Sequence, residues 1–329
     1  MKRLDVCGIG NGLVDVLLRI SEQEFASLGF ERATTRMAET NEQGTLLQKF
    51  KSHDALVASG GSVANSVIAV AQLGGKAAYM GCLGDDKYGM HFESELKSLG
   101  VELANHLIKD QQTGTVIALI TPDGERTMRF NLGVAAHLAP EYVNEDIIRQ
   151  SKWLFVEGYL FSNPGRAQDA IRHAVKIAKS SGTKIAVTFS EAWIVSGFGD
   201  ALREIVNQAD LIFANESEAC AFSQKSDAKA AFETLSEKIP NVVVTAGAEG
   251  SLVSFAGQKH LIEAYPCTPV DLTGAGDMFA GAFLYGVTNG VSAADAGRAG
   301  CYLSREVITR VGPRLSSGTK DYWNQCLAK

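Results

Sequence analysis

Short apolar runs recur along most of this 329-residue chain, and stretches with helical periodicity separate them. Apolar runs that alternate with amphipathic helices predict βαβ units around a parallel sheet. The clearest helices are predicted over residues 166–180 and 227–238. The predicted central strands are residues 4–9, 77–83, 153–158, 184–189, 211–215 and 242–247. No linker, repeat or low-complexity segment interrupts this pattern, so we expect one α/β domain over residues 1–329.

Two stretches depart from the βαβ pattern. Residues 113–132 contain an apolar strand, a Pro-Asp-Gly turn and an alternating strand with Met128, Phe130 and Leu132 on one face, which predicts a β-hairpin. Residues 14–20 and 33–39 read as short strands separated by a polar loop. Together these segments predict a small sheet that projects from the domain. The alternative is an extra antiparallel edge on the main sheet.

Composition excludes several classes of function. The net charge is −6, so nothing indicates binding to nucleic acid or to an anionic membrane. The first 20 residues are too acidic and too glycine-broken for a signal peptide, and no run of about 18 apolar residues predicts a membrane span. The cysteines are scattered without a C-x-x-C pair, which predicts a reduced cytoplasmic protein without structural zinc.

The most informative segment is residues 270–287. An extended stretch ends in Thr273-Gly274-Ala275-Gly276, and an apolar helix is predicted to begin near Asp277. Glycines allow close backbone approach, and the free N–H groups of a helix start favour an anion, so this loop is suited to a phosphoryl group. Asp277 would then be placed to accept a proton from an attacking hydroxyl. Equally, Asp277 is a common residue at a helix N-cap.

A second glycine-rich helix start lies at residues 60–74. Gly60 and Gly61 precede Ser62, which is predicted as the N-cap, and Asn65 follows in the first turn. The Asn65 amide is therefore placed to reach a ligand over the glycines. A close glycine packing contact with a solvated asparagine explains the same residues.

Carboxylates follow two of the predicted strands. Asp15, in GNGLVD, is flanked by apolar residues, and a buried carboxylate there needs a basic partner or a ligand such as a vicinal diol. Asn215 and Glu218, in NESE, follow the strand 211–215 at an edge where α/β proteins bind ligands. A helix N-cap with an acidic first turn accounts for NESE equally well.

Absent motifs narrow the reading further. The sequence contains no G-x-x-x-x-G-K-[ST] motif and no protein-kinase signature. Gly8, Gly10 and Gly12 lack the spacing of a dinucleotide fingerprint. A P-loop enzyme, a protein kinase and a Rossmann dehydrogenase are therefore disfavoured.

The chain as a whole resembles the PfkB/ribokinase family, and within it the adenosine kinases. The two stretches GGSVANSVIAVAQLGG with MGCLGDDKYG, and DLTGAGDMFAGAFL, are similar to the two signatures of the family. Further family-like blocks occur between these signatures in the expected order: QTGTVIALITPDGERT, FVEGYLF, DLIFANESEA and VVTAGAEGS. The resemblance implies a ribokinase-like fold, with a mostly parallel sheet between helices and a β-lid formed by insertions at about 13–40 and 105–135.

The resemblance also implies roles for individual residues. Asp277 would be the catalytic base, and Gly274, Ala275 and Gly276 would form the anion hole. ATP would be the phosphoryl donor, Asn215 and Glu218 would order Mg²⁺ through water, and some relatives also bind K⁺. The acceptor would contact Asn11, Asp15, Gly60, Gly61 and Asn65. The nucleotide would contact Thr245, Gly247, Gly250 and Thr273. A K⁺ ion would lie near Asp271, Thr273, Gly312 and Ser316.

The acceptor remains open between a nucleoside and a sugar. Asn11 in GNGLVD, Tyr159 and Trp193 match adenosine kinases, in which aromatic side chains stack on the purine. Thr35 stands where those enzymes commonly carry a glutamine, and Glu157 matches sugar kinases better. We expect phosphorylation of adenosine, with ribose, fructose or a related sugar as the alternative. A third interpretation is a catalytically inactive relative that only binds ligand, but the intact GAGD and NESE motifs argue against it.

For the oligomeric state, the resemblance is compatible with a monomer or with a homodimer formed through the lid.

Overall fold

The computed structural model describes residues 2–328. Its secondary structure follows the βαβ alternation through most of the chain. Within residues 2–328 the strands are β1 (Leu4–Ile9), β2 (Leu13–Arg19), β3 (Thr35–Met37), β4 (Leu56–Gly60), β5 (Ala77–Met80), β6 (Cys82–Gly84), β7 (Val101–Leu103), β8 (His106–Ile108), β9 (Thr113–Ile120), β10 (Arg126–Gly133), β11 (Ser151–Val156), β12 (Lys184–Thr188), β13 (Leu211–Asn215), β14 (Val242–Thr245), β15 (Ser251–Phe255) and β16 (Gln258–Ile262). The α-helices are α1 (Glu22–Ala26), α2 (Thr40–Lys49), α3 (Ser62–Gln72), α4 (Lys87–Ser98), α5 (Glu145–Arg149), α6 (Arg166–Ser181), α7 (Ala192–Val206), α8 (Glu216–Ser223), α9 (Ala228–Ser236), α10 (Ala275–Thr288), α11 (Ala293–Ile308) and α12 (Thr319–Leu327).

A large sheet forms the centre of the fold, in the order β16-β15-β14-β13-β12-β11-β1-β5-β7. The pairs from β14 to β7 are parallel, and β15 and β16 add an antiparallel edge. Its strands are apolar on both faces because helices cover both faces. In β14, for example, Val242 and Val244 pack in the layer with α6 to α9, whereas Val243 packs in the layer with α3 and α10.

Every predicted central strand lies in this sheet, which confirms the α/β expectation. The predicted strand 77–83 is interrupted, since Gly81 separates β5 from β6. A Cβ at Gly81 would lie 2.6 Å from the carbonyl oxygen of Gly10, so the backbones of two segments approach closely there.

The strand order places a crevice beside β1. From β1 the chain continues to β5 and β7 on one side, and later to β11 and beyond on the other. Open α/β sheets bind ligands outside the carboxyl ends of the strands at such a reversal. Asn11 lies two residues after the end of β1 and Glu157 directly follows β11, so both residues lie at this crevice.

The segments outside the βαβ pattern form a separate sheet, called here the small sheet, in the order β3-β10-β9-β2-β4. The hairpin prediction is confirmed, because β9 and β10 pair antiparallel with Phe130 opposite Val116. The strand β4 joins this sheet from outside the two predicted insertions, and β8 pairs with β6 instead. The predicted polar loop contains the short helix α1, which the capping box of Ser21 and Glu24 begins.

One face of the small sheet is covered, and the other carries Asp15. The helices α1 and α2 pack on the face formed by Val16, Leu18 and Ile117. Asp15 pairs with Val116 in β9, which in turn lies opposite Phe130, so these three side chains share the opposite face. The small sheet therefore presents a carboxylate within an apolar surface.

Two further expectations concern the whole chain. None of the helices within residues 2–328 has both the length and the apolar character needed to cross a bilayer. All six cysteines are free thiols, and Cys7, Cys82 and Cys326 are buried.

The helices α3 and α10 pack very closely because of Gly281. A Cβ added at Gly281 would lie 2.4 Å from the carbonyl oxygen of Ser66 and 2.7 Å from the Ala69 Cβ, both in α3. This contact brings the N-termini of the two helices together at the crevice.

Gly281→Ala should therefore force α3 and α10 apart and lower the free energy of unfolding by about 1–3 kcal/mol. Gly44→Ala is the matched control, because Gly44 lies within α2 and its added Cβ would meet nothing within 4 Å among residues 2–328. The control should raise the free energy of unfolding by about 0.5–1 kcal/mol. Urea unfolding of both variants tests this, and equal stability of the two would contradict the packing argument.

Candidate active site

The start of α10 supplies backbone donors. Gly274 is the N-cap residue with φ +80°, and a Cβ there would lie 2.0 Å from the Pro313 carbonyl oxygen, so this position requires glycine. The first helical hydrogen bond runs from the Met278 N–H to the Gly274 carbonyl (2.9 Å). The N–H groups of Gly276 and Asp277 precede it at the positive end of the helix dipole, whereas the Ala275 N–H donates to the Leu272 carbonyl (3.4 Å). This is the geometry of an anion site.

Asp277 stands in the first turn of α10, so its interpretation as an N-cap is wrong. The helix begins two residues before the predicted start, and Asp277 makes no capping hydrogen bond. Its carboxylate accepts hydrogen bonds from Ser62 Oγ (2.6 Å) and Asn65 Nδ2 (2.9 Å) in α3. Burial raises the pKa of Asp277 to about 6, although these two donors and Arg314 oppose the shift.

The start of α3 supplies those two donors. Gly61, with φ +99°, is the N-cap of α3, so the prediction of Ser62 as N-cap is wrong and its hydroxyl is free to bind Asp277. A Cβ at Gly61 would lie 2.4 Å from the Asn11 carbonyl oxygen, so glycine is required here too. Asn65 is buried and bound, and is not solvated.

Arg314 organises the polar side of this site. It donates to the Asn65 side-chain oxygen (2.9 Å), to Glu95 Oε1 (2.8 Å) and to the Ser59 carbonyl oxygen. The Ser59 N–H and hydroxyl bind the other Glu95 oxygen (2.6 and 2.5 Å). The Asn65 amide is thereby oriented with its oxygen toward Arg314 and its nitrogen toward Asp277.

Asp15 faces Gly60 across the edge of the small sheet. A Cβ at Gly60 would lie 2.7 Å from Asp15 Oδ2, so the carboxylate rests directly against the glycine backbone. Burial raises the pKa of Asp15 to about 6, with Arg314 and Arg126 opposing the shift and Asp277 adding to it. The charge of Asp277 therefore acts on Asp15, and Arg314 lowers the pKa of both carboxyl groups.

Asn11 and Glu157 fill the base of the crevice. Glu157, 1% exposed, accepts hydrogen bonds from the Asn11 N–H (3.2 Å), the Asn11 side chain (3.0 Å) and the Val63 N–H at the start of α3 (3.2 Å). Burial raises the pKa of Glu157 to about 7 despite these donors. Both carboxylate oxygens are thus bound within the protein, and Glu157 holds β1, β11 and α3 together.

Tyr159 and Trp193 lie on one wall. Their ring centroids are 6.3 Å apart at an angle of 46°, and the Tyr159 hydroxyl donates to Glu191 (3.4 Å). Burial, with the charges of Glu191, Glu157 and Asp277, raises the pKa of Tyr159. Trp193 is 51% exposed, which is unusual for so large an aromatic side chain.

Asn215 and Glu218 form a complete capping box at the start of α8. Asn215 Oδ1 accepts from the Glu218 N–H (2.9 Å), and Glu218 Oε2 accepts from the Asn215 N–H (3.0 Å). Burial raises the pKa of Glu218 to about 7, and the charges of Glu191 and Asp277 add to the shift. The N-cap interpretation of NESE is correct. Glu218 also lies close enough to Asp277 for the charge of Asp277 to affect its pKa.

The neighbouring strand ends beside this box, because Asn215 pairs with Thr245. The chain then makes a short 3₁₀ turn from Gly247 to Glu249, with positive φ at Gly247 and Gly250. A Cβ at Gly250 would lie 1.9 Å from the Ile262 carbonyl oxygen. These glycines shape a loop at the same sheet edge as the site.

Asp271, Thr273 and Gly312 also come together. The Asp271 carboxylate accepts from the Thr273 N–H (3.1 Å) and the Gly312 N–H (2.7 Å), and it forms an ion pair with Arg126 of the small sheet. Ser316 is exposed and does not join this group.

Sequence reasoning missed four polar residues of the site: Arg126, Arg314, Ser62 as a partner of Asp277, and Glu95. Ser62 was named only as an N-cap. The two arginines lie 145 and 249 positions from the residues they bind, Asp271 and Asn65, so no local spacing signals them. Of these two arginines, only Arg126 lies in one of the quoted family-like blocks, QTGTVIALITPDGERT.

Comparison with known proteins agrees with this geometry. The model of the pfkB family of carbohydrate kinases matches residues 45–320. The chain belongs to the PfkB family. It is accordingly an ATP-dependent kinase with a ribokinase-like fold, as the sequence predicts.

Solved PfkB structures and a curated relative are similar over nearly the whole chain. The probable sugar kinase from Rhizobium etli is 32% identical with a TM-score of 0.89, and the alignment covers 99% of both chains. The adenosine kinase from Sinorhizobium meliloti is 33% identical with a TM-score of 0.88, covering 98% of this chain and 99% of that one. Adenosine kinase 1 of Arabidopsis thaliana is 26% identical, covering 93% of this chain and 94% of that one.

The two glycines at the start of α10 allow a paired test of the anion site. Gly276 has nothing within 4 Å of an added Cβ among residues 2–328 and is exposed, so Gly276→Ala should keep its stability. The added methyl would occupy the space of the anion, and kcat should fall by about 10²–10³, the cost of losing one donor to a transition-state oxyanion.

Gly274→Ala, in contrast, should lower the melting temperature, because its Cβ would collide with Pro313 at a positive φ. Thermal unfolding and steady-state kinetics of both variants distinguish the two roles. A Gly276→Ala enzyme with normal kcat would place the phosphoryl group elsewhere.

Proposed function

We propose that this PfkB kinase transfers the γ-phosphoryl group of ATP to the hydroxymethyl group of a nucleoside, with adenosine as its acceptor. The transfer chemistry rests on Asp277, which stands in the first turn of α10 directly after Gly276, whose N–H group makes no hydrogen bond within residues 2–328. A base and an anion site thus occupy adjacent positions of one helix start.

In the proposed reaction the acceptor hydroxyl oxygen attacks the γ-phosphorus. The new P–O bond forms as the bond to the β,γ-bridging oxygen breaks, and ADP leaves. The hydroxyl proton passes to the Asp277 carboxylate, while the backbone N–H groups stabilise charge on the transferring group. Ser62 and Asn65 hold the carboxylate in place, and Arg314 fixes the Asn65 amide.

Mg²⁺ fits this site as an ion held by the nucleotide and by water. Within residues 2–328, no group of three or more His, Cys, Asp or Glu residues could bind a metal on its own. The charges of Glu191 and Asp277 nevertheless raise the pKa of Glu218, and a divalent cation would relieve that repulsion. The ion would offset charge on the phosphates, with Asn215 and Glu218 ordering its water.

A nucleoside suits the acceptor side for two reasons. Asp15 can accept hydrogen bonds from a ribose diol, and it stands in an apolar face of the small sheet with Met37 (65% exposed) and Phe130. The exposed Trp193 beside Tyr159 offers ring surface to a base. Glu157, the feature that favours a sugar kinase, is already bound through both oxygens, which weakens that alternative.

Replacement of Asp277 tests the base. Asp277→Asn can keep both contacts, since its amide can donate to Ser62 Oγ and accept from Asn65, but it cannot take a proton. We expect kcat to fall by about 10²–10⁴ with little change in ATP affinity. Near-normal turnover, measured beside ATP binding by calorimetry, would rule out Asp277 as the base.

The pH profile gives an independent reading of the same group. Asp277 must be ionised to act, and its pKa is about 6, as is that of Asp15, so kcat/KM should rise as the pH increases through about 6.

The stability of the fold should respond to pH in the opposite direction. Because the pKa of Asp277 is raised in the folded state, its contribution to stability is full below its pKa in the unfolded chain and is lost as the pH rises through about 6. Asp277→Asn should therefore unfold at no lower temperature than the unmodified enzyme at neutral pH.

A panel of acceptors tests the nucleoside assignment. Tyr159→Ala should weaken adenosine by about 1–3 kcal/mol, the range for one lost base stack, and should leave any weak activity on free ribose unchanged. Tyr159→Phe is the control, because it keeps the ring and loses only the hydrogen bond to Glu191. The 2′-deoxynucleoside should be a poor substrate if Asp15 binds the diol.

The decisive measurement is kcat/KM for adenosine, 2′-deoxyadenosine, ribose and fructose. A preference for ribose or fructose over adenosine by about tenfold or more would reverse the acceptor assignment and leave the kinase chemistry intact.

A further inference from the structure

One ion pair joins the small sheet to the anion-site loop. Arg126, the first residue of β10, reaches the segment before α10, where its guanidinium binds the Asp271 carboxylate and donates to Thr273 Oγ1 (3.3 Å). The side chains of Arg126 and Asp271 are only 15% and 4% exposed. A contact this buried is not an incidental surface pair.

Asp271 fixes the two segments that shape Gly274. Its carboxylate binds the N–H of Thr273, directly before Gly274, and the N–H of Gly312, directly before Pro313. The Pro313 carbonyl is the group that approaches Gly274 most closely. Neutralisation of the Asp271 charge therefore helps to fix the position of the α10 N-terminus.

The candidate residues for K⁺ do not fit that ion in this arrangement. The side-chain oxygens of Asp271 and Thr273 already face the guanidinium of Arg126, and Gly312 offers Asp271 its N–H. Ser316 is exposed and stands apart. A K⁺ ion beside Asp271 would meet a like charge that is already hydrogen-bonded to its ligands.

We propose that the Arg126 guanidinium serves as the cation of this site in place of K⁺, and that it positions the anion-site loop while the small sheet lies against it. Arg126 is then a positioning residue, acting through Asp271. Two consequences follow: catalysis needs no monovalent metal, and loss of the guanidinium leaves a buried carboxylate that K⁺ can neutralise.

Arg19 provides a matched control. It lies in β2 of the same small sheet, and both arginines line a cavity of about 400 Å³ between that sheet and the segments of Val270 and Val311. Arg19 is exposed and forms no side-chain hydrogen bond or ion pair within residues 2–328. Arg19→Gln therefore removes an equal charge from the same surface without touching Asp271.

The experiment compares KCl with tetramethylammonium chloride at equal ionic strength. The unmodified enzyme and Arg19→Gln should show the same kcat and the same melting temperature in both salts. Arg126→Gln should lose about tenfold or more in kcat without K⁺, equivalent to about 1.4 kcal/mol. K⁺ should restore a large part of that loss and should raise the melting temperature of this variant alone.

A double variant provides a second test if Arg126→Gln is poorly folded. The variant that combines Asp271→Asn with Arg126→Gln lacks both charges, so K⁺ should not change its melting temperature. The proposal is overturned if the unmodified enzyme needs K⁺, if Arg126→Gln is fully active without it, or if that variant is equally slow in both salts. The melting temperatures are measured without an acceptor, so they do not depend on the nucleoside assignment.

Discussion

The hydrogen bonds that tie Asp277 of α10 to Ser62 and Asn65 of α3 are the contact on which the site depends. They join the starts of two helices that lie far apart in sequence, each opened by a glycine with positive φ. The contact depends on Gly281 of α10, because a side chain at that position would collide with the Ser66 carbonyl oxygen and the Ala69 Cβ of α3. The residues proposed as the base, the anion site and the edge of the acceptor site are thus brought to one place by the packing of α3 against α10.

Burial of charge is the cost of this arrangement. Asp15 and Asp277 have pKa values raised to about 6, and those of Glu157 and Glu218 are raised to about 7, in each case chiefly by burial. Glu157 and Glu218 accept backbone N–H groups and order the chain around them, whereas Asp15 accepts no hydrogen bond from within residues 2–328. Asp15 is partly exposed, so water can bind its carboxylate in the free enzyme, and on the proposed function hydroxyl groups of the acceptor would replace that water.

The sequence predicted the parts of this design that are locally encoded. Strand cores, the hairpin and the glycines at the helix starts are set by short-range patterns, and they appear where those patterns indicate, except that Gly81 divides the predicted strand 77–83. Helix boundaries were less well predicted, because Gly61 and Gly274 cap α3 and α10 without a side chain. Ser62 is therefore not the N-cap that was predicted, and the N-cap alternative for Asp277 is wrong. Arg126 and Arg314 could not be predicted at all, since their partners are fixed only by the tertiary fold.

These two arginines also bear on which acceptors the site can hold. The acceptor side carries the carboxylates of Asp15 and Asp277, and the cations nearest to them are already engaged: Arg314 binds Glu95, and Arg126 binds Asp271. A phosphorylated sugar would bring further negative charge to these carboxylates while Arg314 and Arg126 are already paired. A neutral polyol that donates hydroxyl hydrogen bonds to Asp15 is favoured by the same electrostatics. On the proposed function, this charge pattern would favour uncharged acceptors, a class to which nucleosides belong, and the apolar face around Asp15 would favour those that carry a base.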